Sequence, residues 1–185
     1  MTIALILLAI LILMLVLMYN SLVNKKNQVE NIFASVDTQL KKRYDLIPNL
    51  IASVKEYMNH EKTLLESVTS LRTKSIKRNL EDTEIISLDS KMTQALGSLM
   101  IAVEAYPELK ANENIIHLQA SLNEVEEQIQ ASRRAYNQAV TDYNNALEMI
   151  PTNFMAKAMG YEIKSLFEIK ANQRENINVK ELFNK

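Results

Sequence analysis

The sequence predicts an all-α protein: an N-terminal transmembrane helix followed by an antiparallel up-and-down helical bundle. Three observations predict it. Two glycines (Gly97, Gly160) and three prolines (Pro48, Pro107, Pro151) in 185 residues cannot turn the chain every ~8–12 positions, as sandwiches, barrels and doubly wound sheets require. Residues 3–18 are apolar without exception. Two long stretches then place apolar residues at alternating steps of four and three, the spacing of a helical seam.

The apolar run comes first. With Met1 and Thr2 it is uncharged from the chain start, and at ~1.5 Å per residue it reaches ~27 Å, close to the ~30 Å hydrocarbon core of a bilayer. Ile3, Leu5, Leu8, Leu11, Leu15 and Met18 mark this anchor, and Tyr19 follows where an interfacial aromatic belongs. A cleaved signal peptide needs a basic start, a shorter apolar core and a small-x-small site. Asn20-Ser21-Leu22-Val23 supplies no such site. Lys25 and Lys26 lie directly after the run and no Lys or Arg precedes it. The positive-inside rule therefore puts the amino terminus outside and the helical domain in the cytoplasm.

The first seam reads Val29, Phe33, Val36, Leu40, Arg43, Ile47, Leu50, Val54, Tyr57, Glu61, Leu64, Val68, Leu71. It passes through Pro48, which predicts one long helix kinked there. No Gly or Pro separates it from the anchor, so a continuous rod is expected to leave the bilayer. After the polar stretch Thr73 to Glu84, a shorter pattern (Leu88, Met92, Leu96, Leu99, Val103, Tyr106) predicts a helix stopped by Pro107. Asn112 or Asn114 can cap the next helix. That helix carries the second seam, Ile115, Leu118, Leu122, Val125, Ile129, Ser132, Tyr136, Ala139, Tyr143, Ala146, Ile150, up to Pro151. Phe154, Met155, Ala158 and Met159 then make about two turns before Gly160. The organisation is an anchor at 1–19, a helical bundle at 20–169 and a loose, charged tail at 170–185.

Specific strings resemble the LemA family over nearly the whole chain. They are Asp37 with Gln39-Leu40-Lys41-Lys42-Arg43-Tyr44-Asp45-Leu46-Ile47-Pro48-Asn49-Leu50, then Glu104-Ala105-Tyr106-Pro107-Glu108-Leu109-Lys110-Ala111-Asn112-Glu113-Asn114, then Ala131-Ser132-Arg133-Arg134-Ala135-Tyr136-Asn137 with Val140, Tyr143 and Asn144. The chain departs from the family pattern at Phe33, where Trp is usual, at Glu127, where Asn is usual, and at Ile150 and Tyr161, where Phe is usual. The resemblance implies a bacterial protein of the cytoplasmic (inner) membrane, single-pass, with an antiparallel helical domain. It implies no reaction and no cofactor.

The residues themselves point away from catalysis. Without Cys there is no thiolate metal site, cluster or Cys nucleophile. Each His has a Glu four residues before it (Glu56 and His60, Glu113 and His117), not the three of a di-iron helix motif, and Leu64 stands where a zincin needs its second His. Glycine-rich loops and Gly-x-Ser-x-Gly are absent from the sequence. A net charge of −1 argues against nucleic acid as a partner.

Two features stand out. Arg43 occupies a seam position, where it either sends its charge outward or pairs with an acid, with Asp37, Asp45 and Glu126 as candidates. Tyr136-Asn137 and Tyr143-Asn144 repeat seven residues apart. They read either as core tyrosines with flanking amides as hydroxyl partners or as a polar docking strip. Together with the Pro48 bend and Asn49, that strip is the expected site for an unidentified protein partner. The function that follows is a membrane-anchored, non-enzymatic protein-interaction module, an adaptor or regulator. The alternative is a self-assembling structural scaffold, its seams pairing between chains as a homo-oligomer. A signal-transmitting rod is a third reading, weakened because the sequence has one apolar span.

Overall fold

The computed structural model describes residues 1–77 and 80–167. The tail expected at 170–185 lies outside them. Among the described residues every regular element is helical: α1 (Thr2–Val54), a short 3-10 turn (Asn59–Glu61), α2 (Lys62–Ser75), α3 (Asp82–Glu104), α4 (Pro107–Lys110), α5 (Glu113–Glu148) and α6 (Thr152–Ala158).

Helix α1 runs 53 residues without a break, from the apolar run into the bundle. Its amino-terminal window has a mean hydropathy of 3.0 over 18 residues and none of it is buried, so it is long and apolar enough to cross a membrane. Beyond it the seam turns inward. Val29, Val36, Leu40, Arg43, Ile47, Leu50 and Val54 are all buried, spaced by sevens, fours and threes, and they pack against Ile115, Leu122, Val125, Ile129, Tyr136 and Tyr143 of α5 and the buried stripe of α3.

The long kinked helix expected from Val29 to Leu71 is two helices. Pro48 sits inside α1 with its ring exposed, and the break comes later, after Val54. There Met58 is buried while Tyr57, the seam position, is exposed. Asn59 Nδ2 donates to the Glu56 carbonyl at 3.3 Å, holding the turn. The chain then folds back, and Arg72 Nε of α2 donates to the Tyr44 carbonyl of α1 at 2.8 Å. No Gly or Pro marks this reversal. Burial of Met58 wins over continued periodicity, since a tertiary contact is worth more than one turn's intrinsic propensity.

Other boundaries follow local chemistry. Pro107 opens α4 at a position where its missing N–H costs nothing, and Asn112 Oδ1 accepts the Asn114 N–H at 2.9 Å to cap α5. Gly160 takes φ +66°, a left-handed conformation that ends α6. Toward the carboxyl end further expected positions face out: Ile150 of the second seam is 78% exposed, and in α6 Phe154 is 68% exposed and Ala158 exposed, while Ala156 is the buried residue. The four main helices run alternately away from and toward the anchor end, α1 along α5 and α2 along α3.

Candidate functional site

At mid-bundle, three helices meet in a closed ionic cluster. Arg43 is 1% exposed. One amino group of its guanidinium donates to Asp89 of α3; the other donates to Glu126 Oε2 of α5 at 2.8 Å and to Thr93 Oγ1 at 3.0 Å. Asp89, also 1% exposed, uses its second oxygen to accept from Arg133 of α5. Glu126 Oε1 accepts from Gln130 Nε2 at 2.7 Å. Two cations and two anions cancel: Arg43 and Asp89 are the fully buried pair, and Glu126 and Arg133, with side chains 31% and 17% exposed, close it at the edge of the bundle.

Beside the cluster lies a cavity of about 210 Å³ between α3 and α5, lined by Thr93, Gly97, Met100, Gln119 and Leu122 and reaching Arg43 and Glu126. Its one hydroxyl, Thr93 Oγ1, accepts from Arg43. Among the described residues, moreover, no group of three or more His, Cys, Asp and Glu side chains gathers to hold a metal, and both His60 and His117 are exposed on the surface.

The Tyr-Asn pairs build a second arrangement. Asn137 Nδ2 donates to the Phe167 carbonyl at 3.0 Å and its Oδ1 accepts the Phe167 N–H at 2.8 Å. Asn144 grips Lys164 the same way, at 2.9 Å for both bonds. Seven helical residues rise ~10.5 Å, and three residues of nearly extended chain span ~10 Å. The seven-residue repeat is therefore matched to a chain segment gripped at every third residue. Phe167 stacks edge-on against Tyr136, centroids 5.2 Å apart, and the Tyr136 ring also lies 5.3 Å from that of Phe33. The Arg133 guanidinium lies 5.6 Å from the Phe167 ring, which joins this clamp to the ionic cluster.

The docking strip expected for a partner is thus occupied by the protein's own residues 161–167. The amides bind backbone and do not serve the tyrosine hydroxyls: Tyr136 Oη is buried without a protein partner. Burial, and secondarily the Asp82 charge, push its pKa up to about 12. Burial also raises Tyr44 and Tyr143.

The remaining motif residues separate by exposure. Asp37, Asp45, Pro48, Asn49 and Pro107 are exposed, Tyr44 is buried and Tyr106 half-buried. Of the three acids considered for Arg43, only Glu126 reaches it; Asp37 is on the surface and Asp45 pairs with Lys41 at 2.7 Å. Asp89 was not among the expected residues. Its signal lay in the same counting that singled out Arg43: steps of three and four run Asp89, Met92, Leu96, Leu99, Val103, so Asp89 is a charged seam position like Arg43. The pattern begun at Leu88 concealed it.

The model of the LemA family matches residues 32–180, which include the cluster and the clamp. The chain belongs to the LemA family. Among similar proteins, Protein LemA of Metamycoplasma hominis is 25% identical over 165 residues, covering 89% of this chain and 75% of that protein. Magnetosome protein MamQ 2 of Paramagnetospirillum magneticum is 33% identical over 86 residues, 46% of this chain and 32% of that protein. MamQ of Magnetospirillum gryphiswaldense is 29% identical over the same shares.

Proposed function

We propose that this LemA-family protein is a membrane-anchored, non-enzymatic protein-interaction module, an adaptor or regulator of membrane-associated machinery. It stands in a bacterial cytoplasmic membrane with its amino terminus outside and its bundle in the cytoplasm. The supporting observation is the continuity of α1, one helix that carries the exposed apolar run at one end and closes a groove at the other. Ile51 lies ~50 Å beyond Met18 along that helix. The groove, about 590 Å³, runs between α1 and α2 and is lined by Ile51, Lys55, Met58, Leu65 and Thr69. Its size and mostly apolar walls suit the side chains of a partner helix. The buried charges neutralise one another, which suits a role in holding three helices together better than one in turnover. Lys25 and Lys26 beside the run favour the cytoplasmic placement.

Photo-cross-linking from exposed Ser70 in native membranes tests this, with exposed Gln138 on α5 as the comparison. The expected result is an adduct with a different protein from Ser70 and none from Gln138. Adducts only between copies of the chain would favour the self-assembling scaffold. Absence of adducts from both positions would remove the interaction reading.

A further inference from the structure

The register of α1 against α5 is constant. Arg43 meets Glu126, Phe33 meets Tyr136, and Leu22 clusters with Ala146. Ten or eleven residues back along α1 correspond to ten forward along α5, a match to within one residue. Continued, the register sets Ile150 level with Tyr19, at the end of the apolar run. There the bundle shows large apolar side chains that no other described residue covers: Met149 is 63% exposed, Ile150 78% and Phe154 68%. Leu22, the first buried residue of α1, holds this corner to the anchor helix through Ala146 and Ala156.

We propose that the α5–α6 corner, Met149 to Phe154, is a second membrane contact, seated in the interfacial layer of the same bilayer that α1 enters. Exposed apolar groups gathered at one level mark an interaction surface, and at the level of Tyr19 the surface at hand is lipid. The backbone at the end of α5 is also covered in this corner, although Asn153 Oδ1 is buried without a partner among the described residues. Thr152 Oγ1 lies 2.6 Å from the Ala146 carbonyl and 2.9 Å from that of Met149, covering the end of α5, and the Met149 carbonyl further accepts the Asn153 N–H at 2.9 Å. Exposed Lys157, with Lys25 and Lys26 at the same end, supplies cations for anionic headgroups. Two contacts, a spanning helix and a seated corner, fix the tilt of the bundle where a single helix would leave it free.

This rests on residues 3–18 spanning the bilayer, and one experiment separates the two. The chain has no Trp, so single-Trp variants of the full-length protein report their own surroundings in phosphatidylglycerol-containing vesicles with brominated acyl chains. Leu11→Trp reports the anchor, Phe154→Trp and Ile150→Trp the corner, and Ile101→Trp the far end, since neighbouring Met100 meets Gln119 at the level of Leu50. The corner positions are exposed, so substitution leaves the core intact. The expected result is strong quenching at Leu11→Trp, at least twofold quenching at both corner positions with bromines placed near the headgroups, and none at Ile101→Trp. Corner signals that match Ile101→Trp, with Leu11→Trp quenched, would overturn the inference and leave the anchor standing. A blue-shifted corner signal without bromine quenching would show protein covering the patch and equally overturn it. No quenching at Leu11→Trp would overturn both.

Discussion

Asp89 holds two guanidinium groups with its two oxygens, and its loss leaves more positive than negative charge inside the bundle. Asp89→Ala is expected to destabilise the bundle by about 3–5 kcal/mol in chemical unfolding of the detergent-solubilised chain. Arg43→Met is expected to cost less than Asp89→Ala, because Asp89 keeps Arg133 and the charge left over falls on Glu126, whose side chain is 31% exposed and keeps Gln130. Asp37→Asn and Asp45→Asn, both at exposed sites, should stay within about 0.5 kcal/mol. An Arg43→Met variant that unfolds while Asp89→Ala is silent would contradict the paired role. Tyr136 offers a pH test. Its phenol titrates near 10.0 when exposed and about 12 in the fold, so the fold favours the neutral form. That contribution is complete below pH ~10 and is lost as pH rises toward 12, up to about 3 kcal/mol. Tyr136→Phe should flatten this part of the melting-temperature profile. Tyr44 and Tyr143, raised in the same sense, leave a residual slope.

At the scale of elements, the clamp gives the carboxyl-terminal segment its place on α5. Each asparagine makes two bonds to one residue's backbone. Asn137→Ala and Asn144→Ala should each cost about 1–2 kcal/mol and speed hydrogen exchange at the Phe167 and Lys164 amides. Asn49→Lys, at an exposed site, should change neither. Unchanged exchange in both alanine variants would mean the segment is held by its aromatic contacts alone. Gly97 is a different case, a mid-helix glycine whose added Cβ would meet no atom within 4 Å. Gly97→Ala should therefore stabilise α3 by about 1 kcal/mol, seen as a melting temperature higher by a few degrees. Legibility differed between elements for a local reason. Helix α5 has its punctuation in the sequence, Asn112 before it and Pro151 after it, whereas the reversal at Lys55–Glu61 has neither Gly nor Pro and is made by one buried Met58.

For the whole molecule, the anchor and the bundle share one helix but not one core. No residue before Leu22 is buried. Removing residues 1–18 should therefore leave a bundle with unchanged helix content per residue and a melting temperature within a few degrees, checked by circular dichroism. A collapse of helicity would mean the apolar run is part of the fold. A carboxyl-terminal reporter active only in the cytoplasm should be active, as the proposed orientation requires; activity of a reporter that works only outside would reverse it.

The sequence by itself determined that the chain is helical, where its apolar span lies, most of the two seams (Val29 to Val54 and Ile115 to Ala146) and that Arg43 is an anomaly on one of them. Each of these is a property of spacing along one chain, and spacing is a local quantity. Only the tertiary structure decided that Asp89 joins Glu126 in holding Arg43, that the seam after Val54 folds back on itself, and that Asn137 and Asn144 grip the protein's own Phe167 and Lys164. Periodicity says which face of a helix turns inward. Which charge or amide it meets there depends on how the helices are threaded past one another, and a single residue such as Met58 can redirect that threading by choosing burial over the next turn.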